Sequence, residues 1–167
     1  YFHAAGHQGR YAAERFVFAS KYPLRDITFT PPEHGLFGSH TARCVIAGNE
    51  ITLVNVHLTP VTRSRADEAE TTSLLSALWG TETAHAAEIK SICARLDLAQ
   101  PIILAGDFNS LSTFAAPGHL RELGLVDSFA SVHADAEAHP TWFWPTRPVP
   151  LRARIDYVFH SSHFRTM

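Results

Sequence analysis

The chain has 167 residues, 46% of them hydrophobic, which suits one domain with a single core and leaves little room for two. Its formal net charge of −2 and pI near 6.6 argue against binding to nucleic acid through overall positive charge. A local basic patch is compatible with these values. Eleven histidines favour metal or acid/base chemistry. No apolar run is long enough for a transmembrane helix, and no signal-peptide pattern opens the chain; the compartment and the oligomeric state stay open.

The first part of the chain carries strand patterns. Four apolar or alternating runs predict strands, at residues 15–20, 26–30, 42–47 and 51–57. The last two form a predicted hairpin whose turn is Gly48-Asn49, a dipeptide suited to positive backbone angles. His57 is the final residue of this hairpin.

Helical patterns follow. Residues 64–78 predict a helix that begins with the capping-box-like Ser64-x-x-Asp67 and is interrupted at Gly80. A second helix is predicted from one apolar stripe, which consists of Ile89, Ile92, Cys93 and Leu96. His85 lies near its start and is predicted to be solvated or partly packed. Cys44 and Cys93 lack a zinc-like spacing and are predicted to be core thiols.

The remaining elements are short. Residues 101–105 form a buried strand pattern, 120–123 a short helix ended by Gly124, and 155–159 a last strand. Trp142–Trp144 are predicted to form a structured loop that caps the core, since large aromatic side chains usually pack; stacking on a base and contact with a lipid are the alternatives.

Polar residues occur at the ends of three of these apolar strands. They are His57 in VNVHL, Asp107 and Asn109 in LAGDFNS, and Asp156 in RIDYVF. Asp and Asn also cap turns with their own side chains, so Asp107 and Asn109 alone are compatible with a simple turn. The three motifs together favour a functional site, because a charge in a buried pattern is costly unless it is paired or binds something.

These motifs, in this order and preceded by FASKYPL, resemble those of the endonuclease/exonuclease/phosphatase family. That family comprises metal-dependent phosphoesterases, among them deoxyribonuclease I-like nucleases, inositol polyphosphate phosphatases and sphingomyelinases. The resemblance implies one domain over residues 1–167 with a partial two-sheet α/β sandwich of the deoxyribonuclease I type. It also implies magnesium, with manganese as an alternative, and a phosphoester substrate, either nucleic acid or a small-molecule or lipid phosphate.

The resemblance also implies roles for the four polar residues. Asp107 would orient or deprotonate the attacking water or ligate the metal, and Asn109 would bind the phosphate, ligate the metal or hold Asp107. His57 would hydrogen-bond the phosphate or shuttle a proton. Asp156 would accept a hydrogen bond from a further histidine and fix its tautomer.

Two parts of the family pattern have no match in the sequence. The family carries a metal-binding Asn and Glu before the FASKYPL-like strand and an Asp-His pair after the RIDYVF-like strand. Nothing around Glu14 resembles the first, and His160 and His163 follow Asp156 too closely to fold back on it easily. We therefore expect residues 1–167 to be incomplete at both ends, to bind magnesium weakly, to have little activity and to expose sheet surface that favours association.

Other interpretations stay open. One is a binding or interaction domain that keeps the fold without the chemistry. Another is a zinc hydrolase that uses His3 and His7, four residues apart on one helix face, although no glutamate lies between them. Near the aromatic segment, Arg147 and Arg152 are candidates for phosphate contacts, whereas Arg154 is expected to pair with a neighbouring carboxylate.

Overall fold

The computed structural model describes residues 2–4, 16–60, 74–144 and 150–167. The strands are β1 (Phe2–Ala4), β2 (Val17–Ala19), β3 (Arg25–Thr30), β4 (Ser39–Ile46), β5 (Asn49–His57), β6 (Ile102–Asp107), β7 (Val126–Asp127), β8 (Trp142–Trp144), β9 (Leu151–Ala153) and β10 (Asp156–His160). The helices are α1 (Leu74–Cys93), α2 (Ala115–Glu122) and a 3₁₀ turn at Ala136–Ala138.

Six strands form the main sheet, in the order β3-β4-β5-β6-β10-β7. Neighbours are antiparallel except β5 and β6, which are parallel and are joined by a crossover that contains α1. Because β5 and β6 run the same way, their carboxyl ends lie at the same edge of the sheet. The register places His57 beside Asp107 there.

The main core lies between one face of this sheet and the two helices. Its largest fully buried members are aliphatic or aromatic: Val54, Val56, Leu58, Ile89, Ile102, Leu104, Phe108, Leu120 and Phe159. Alternate residues of β5 and β6 supply the sheet side of this core, as the two-residue period of a strand requires. Burial of this face fixes which side chains of β5 and β6 point away from the helices.

A second layer covers part of the opposite face. The ring centroids of Phe18 and His40 lie 4.7 Å apart, and the Asn55 amide donates to the Val17 carbonyl at 3.4 Å, which places β2 against β4 and β5. β1 pairs with β2 to form a two-stranded sheet. The predicted partial two-sheet α/β sandwich is confirmed.

The β4–β5 turn differs from the prediction by one residue. Ile46 pairs with Asn49, so Ala47 and Gly48 form the turn, and both have positive φ, at 50° and 82°. A two-residue turn of this hand needs positive φ at both positions. The prediction followed residue preference and placed the turn at Gly48-Asn49, but strand register selected the preceding pair.

Helix α1 runs through Gly80 without a break, so the predicted interruption is wrong. One glycine costs a helix only about 1 kcal/mol, and burial of Ile89 and Ile92 outweighs it. The proposed cap at Ser64 and Asp67 lies outside the described residues. Leu96 packs on the core but follows the end of the helix.

Two other elements extend beyond their predicted bounds. Helix α2 begins at Ala115, earlier than predicted, because Pro117 falls in its first turn, where a missing N–H costs little. Gly124, with φ of 82°, follows its end as predicted. Strand β6 continues to Asp107, which is therefore its last residue.

The aromatic segment is a strand rather than a loop. β8 pairs with β9, and Phe143 is 55% exposed and Trp142 37% exposed, so the prediction that they cap the core is wrong for these two side chains. His3 lies in β1, which removes the helical basis of a zinc site with His7; His7 itself lies outside the described residues. Cys44 and Cys93 are free and buried, as predicted.

Gly106 should be hard to replace. Its φ is 148°, and a Cβ there would collide with the carbonyl oxygen of Val56 on the neighbouring strand. We expect Gly106→Ala to lower the free energy of unfolding by more than ~2 kcal/mol, because it adds both backbone strain and a clash. Gly80→Ala is the control: it meets open space in the described part of α1 and should raise stability by about 0.5–1 kcal/mol. Urea denaturation measures both, and equal stability of the two variants would contradict the close approach.

Candidate active site

Three strand ends bring the predicted polar residues together. His57 ends β5, Asp107 ends β6, and Asp156 begins β10. In the register, Asp107 lies between the other two, beside His57 on one side and Asp156 on the other. His57 Nε2 is 3.9 Å from Asp107 Oδ2, and both side chains are partly open to solvent. The side chains of His57 and Asp107 thus converge at this edge of the sheet, while the catalytic roles stay predictions.

A tight turn after β6 orients Asp107. The Asn109 N–H donates to Asp107 Oδ1 at 2.8 Å, and Asn109 adopts a left-handed backbone with φ of 47°. This is the local turn that Asp and Asn favour. It uses one carboxylate oxygen of Asp107 and leaves Oδ2 on the side of His57. The turn and the candidate site are thus the same structure.

Asn109 also ties the two strand-end loops to each other. Its Nδ2 donates to the Leu58 carbonyl at 2.9 Å, and the Leu58 N–H donates to the Asp107 carbonyl at the same distance. The donor role fixes which end of the amide is nitrogen. Asn109 Oδ1 and the second amide hydrogen have no bond in the described part of the chain and can meet a ligand.

Burial raises the pKa of the Asp107 carboxyl above its ordinary range, and the negative charge of Asp156 adds to the rise. The hydrogen bond from the Asn109 backbone and the charges of His57 and His85 act in the opposite direction. The balance favours a proton or a cation at this carboxylate.

The His57 ring is held from the side. Phe37 packs against it with ring centroids 4.3 Å apart and an angle of 31° between the planes. Phe37 is buried, so it limits the rotation of the imidazole without competing for its nitrogens. His57 Nε2 therefore stays directed towards Asp107.

Polar contacts from two neighbouring segments fix the start of β10. Thr141 Oγ1 accepts from the backbone N–H groups of Ile155 and Asp156, each at 3.1 Å. Arg154 is buried and donates to Asp127 at 2.9 Å and to Glu137 at 2.8 Å. The predicted pairing of Arg154 with a carboxylate is confirmed, and its guanidinium is not exposed for a phosphate.

Arg152, His160 and His163, which the sequence analysis also considered, have other contact partners. Arg152 stacks over Phe143 at 5.3 Å, and Arg147 is outside the described residues. His160 bonds to Ser161 and Thr166, and His163 bonds to Ser161. In the described part of the chain, neither histidine is hydrogen-bonded to Asp156.

Comparison with known proteins gives the family. The model of the endonuclease/exonuclease/phosphatase family matches residues 1–166. The chain belongs to the endonuclease/exonuclease/phosphatase family. No individual curated protein sequence matches it significantly.

Solved structures share the fold at low sequence identity. A structure titled endonuclease/exonuclease/phosphatase from Beutenbergia cavernae is 19% identical, with a TM-score of 0.58 over 86% of this chain and 39% of that chain. Sphingomyelinase C from Streptomyces griseocarneus is 19% identical, with a TM-score of 0.57 over 87% and 52%. The 3′ phosphatase NExo from Neisseria, bound to a product DNA hairpin, is 18% identical, with a TM-score of 0.51 over 88% and 61%. The chain thus spans between 39% and 61% of these three proteins.

The donor set suits the hard cation that the endonuclease/exonuclease/phosphatase family implies. Asp107 and Asp156 lie opposite each other in the strand pairing, and the amide oxygen of Asn109 has no hydrogen bond in the described part of the chain. Among the described residues, no group of three or more His, Cys, Asp or Glu side chains could hold a metal. Magnesium commonly uses one or two carboxylates and completes its shell with water and substrate phosphate, so this open set fits it.

Sequence reasoning missed one set of residues next to the site. His85 is fully buried, so its predicted solvation is wrong, and it lies between Glu82 and Thr59. The signal was present, because His85, Ile89 and Ile92 follow an i, i+4, i+7 spacing and therefore share the buried face of α1.

None of the described helices is long and apolar enough to cross a membrane.

The carboxyl of Asp107 should titrate above the ordinary aspartate value of about 3.9 in metal-free protein. Asp156→Asn removes a negative charge and should move the Asp107 midpoint to lower pH, because ionisation is then opposed less. Carboxyl-carbon NMR in EDTA measures this. Glu122→Gln is the control, since Glu122 is 79% exposed at the end of α2 and should leave the midpoint in place. A midpoint that Asp156→Asn does not lower would show that the two carboxylates do not interact.

Proposed function

We propose that this chain forms part of a hydrolase that cleaves a phosphoester by attack of water, with magnesium as cofactor and manganese as an alternative. The observation that carries the proposal is the convergence of His57, Asp107, Asn109 and Asp156 at one sheet edge. Membership of the endonuclease/exonuclease/phosphatase family supports it. Since the chain spans about half the length of several similar structures, the activity proposed is that of the whole protein.

Asp107 is proposed to receive or direct the proton of the attacking water. Its Oδ1 is bound by the Asn109 backbone, so Oδ2 is the oxygen that faces the open side of the site. A carboxylate whose pKa is raised by burial is a better base near neutral pH than an exposed one. The turn and the burial thus both favour this role.

His57 and Asn109 are proposed to bind the phosphate. The 3.9 Å between His57 Nε2 and Asp107 Oδ2 is longer than a hydrogen bond, and an oxygen of water or phosphate on the open side can bridge the two groups. The second amide hydrogen of Asn109 is a further donor on the same edge. His57 can also transfer a proton, since an imidazole ring has one nitrogen that donates and one that accepts.

The magnesium ion would be held by Asn109 and Asp156, with Asp107 as an alternative ligand in place of its role towards the attacking water. When bound, it would neutralise charge on the phosphate oxygens and make the attacking water more acidic. For Asp156, a second proposed role is to accept a hydrogen bond from a histidine and fix its tautomer. Its position opposite Asp107 supports either role.

The substrate class is proposed only as a phosphoester. The similar structures include a sphingomyelinase C and a 3′ phosphatase bound to DNA. The net charge of −2 gives no general attraction to nucleic acid. Both a lipid phosphodiester and a DNA 3′-phosphate therefore belong in the substrate panel.

In the full-length protein, Asp107→Asn and His57→Ala should each lower kcat/KM by about 10²-fold or more, because each removes a group that binds or moves a proton in the reaction. Hydrolysis of sphingomyelin, a 3′-phosphorylated oligonucleotide and bis(p-nitrophenyl) phosphate would be measured with magnesium and with EDTA. Circular dichroism checks that the fold is kept.

The chain offers a matched pair of controls for this experiment. Asp135 and His139 form an exposed aspartate–histidine contact of 3.2 Å in another loop, so Asp135→Asn and His139→Ala should leave turnover unchanged. Full magnesium-dependent activity in Asp107→Asn would refute the assignment. A folded wild type that is inactive on every substrate would instead favour a non-catalytic binding domain.

A further inference from the structure

A polar stripe on α1, formed by Glu82, His85 and Glu88, lies next to the site but has no role in the proposed reaction. The three residues are spaced by three and therefore share one side of the helix. His85 is 0% exposed, Glu88 is 4% exposed and the Glu82 side chain is 14% exposed. Buried ionisable groups are costly unless their bonds are made, so the partners of the polar stripe are informative.

The polar stripe binds every polar atom of Thr59, two residues after His57. The Thr59 carbonyl lies 2.6 Å from His85 Nε2, and a carbonyl only accepts, so Nε2 carries the hydrogen. The Thr59 N–H donates to Glu88 at 3.2 Å, and the Thr59 hydroxyl donates to Glu88 at 2.8 Å. The backbone that follows β5 is thereby fixed to α1.

The same polar stripe also binds the loop that follows β6. The Ser110 hydroxyl donates to Glu82 Oε1 at 3.2 Å, and the Ala115 N–H donates to Glu82 Oε2 at 2.8 Å. His85 Nδ1 lies 3.4 Å from Glu82 Oε1, so the imidazole connects the two sets of contacts. Ser110 directly follows Asn109.

We infer that His85 is a positioning residue. Through this polar stripe it holds the loop that follows β5 in a fixed arrangement relative to the loop that follows β6. The loops meet where Asn109 Nδ2 donates to the Leu58 carbonyl at 2.9 Å, between the two sets of contacts. A shift of Thr59 moves Leu58, and a shift of Leu58 changes the orientation of the Asn109 amide. This inference rests on the proposed function for its effect on catalysis, but the bond itself can be tested without activity.

A purely structural role for His85 makes a different prediction. If the residue only fills the core, a side chain of similar volume should serve as well, and any core truncation on α1 should have the same effect. If it positions the loops, the donor to the Thr59 carbonyl is what matters. Leu fills the space without a donor, whereas Gln can place a nitrogen near the position of Nε2.

The test compares His85→Leu, His85→Gln and Ile89→Ala in the full-length protein. Ile89 is fully buried on the same helix but contributes only to the apolar core, so its variant controls for lost stability. The readouts are kcat and KM, thermal stability, and the NMR signal of the Asn109 side-chain amide, assigned by its loss in Asn109→Ala. We expect His85→Leu to shift the Asn109 signal and to lower kcat by about 10- to 100-fold with little change in KM, since small misplacements of reacting groups are costly.

His85→Gln should recover most of the kcat and the Asn109 signal, and Ile89→Ala should lower stability while leaving both unchanged. The inference is overturned if folded His85→Leu keeps the wild-type signal and kcat, or if His85→Gln is as impaired as His85→Leu. If His85→Leu does not fold, His85→Met decides, because methionine adapts its shape to the space and also lacks a donor to the Thr59 carbonyl; an unshifted Asn109 signal in His85→Met overturns the inference. If the wild type has no phosphoesterase activity, the proposed function fails, and the Asn109 signal alone decides the positioning role.

Discussion

The parallel pairing of β5 and β6 is the constraint on which the candidate site depends. It brings two carboxyl strand ends to one edge, with His57 beside Asp107. The pairing requires the close approach at Gly106, where only a residue without a side chain fits against Val56. β10 then adds Asp156 from the opposite direction. Backbone hydrogen bonds of the sheet therefore bring the three strand ends together, while the loops that follow β5 and β6 depend on further contacts.

Helix α1 serves both the core and the site. Ile89 and Ile92 pack against the sheet, while the polar stripe reaches the loops that leave β5 and β6. Burial raises the pKa of Glu88, and its hydrogen bonds from Thr59 oppose that rise. An apolar side chain in the same place would avoid the cost of desolvation but would leave the loop backbone unpaired. The crossover thus supplies side-chain contacts to both loops that border the candidate site.

Much of this arrangement could be predicted from the sequence because short aliphatic runs with polar ends are local signals. His57, Asp107 and Asp156 stood out for that reason, whereas their meeting at one edge depends on the order of β5, β6 and β10 in the sheet. The errors concern features that depend on tertiary contacts. Gly80 lies within α1 because core burial outweighs its low propensity, and His85 is buried because Thr59 and Glu82 satisfy its ring. Phe143 is exposed because pairing with β9 places it at the surface.

The turn at Asn109 restricts the geometry of the Asp107 carboxylate. Since one oxygen of Asp107 closes a small hydrogen-bonded ring with the Asn109 backbone, the carboxylate cannot rotate freely and presents a single oxygen to a ligand. A glutamate carries the same charge, but its extra methylene would enlarge that ring and release the group to swing. The negative charge at residue 107 is therefore not its only requirement. The length of the aspartate side chain also determines which carboxylate oxygen faces a bound ligand.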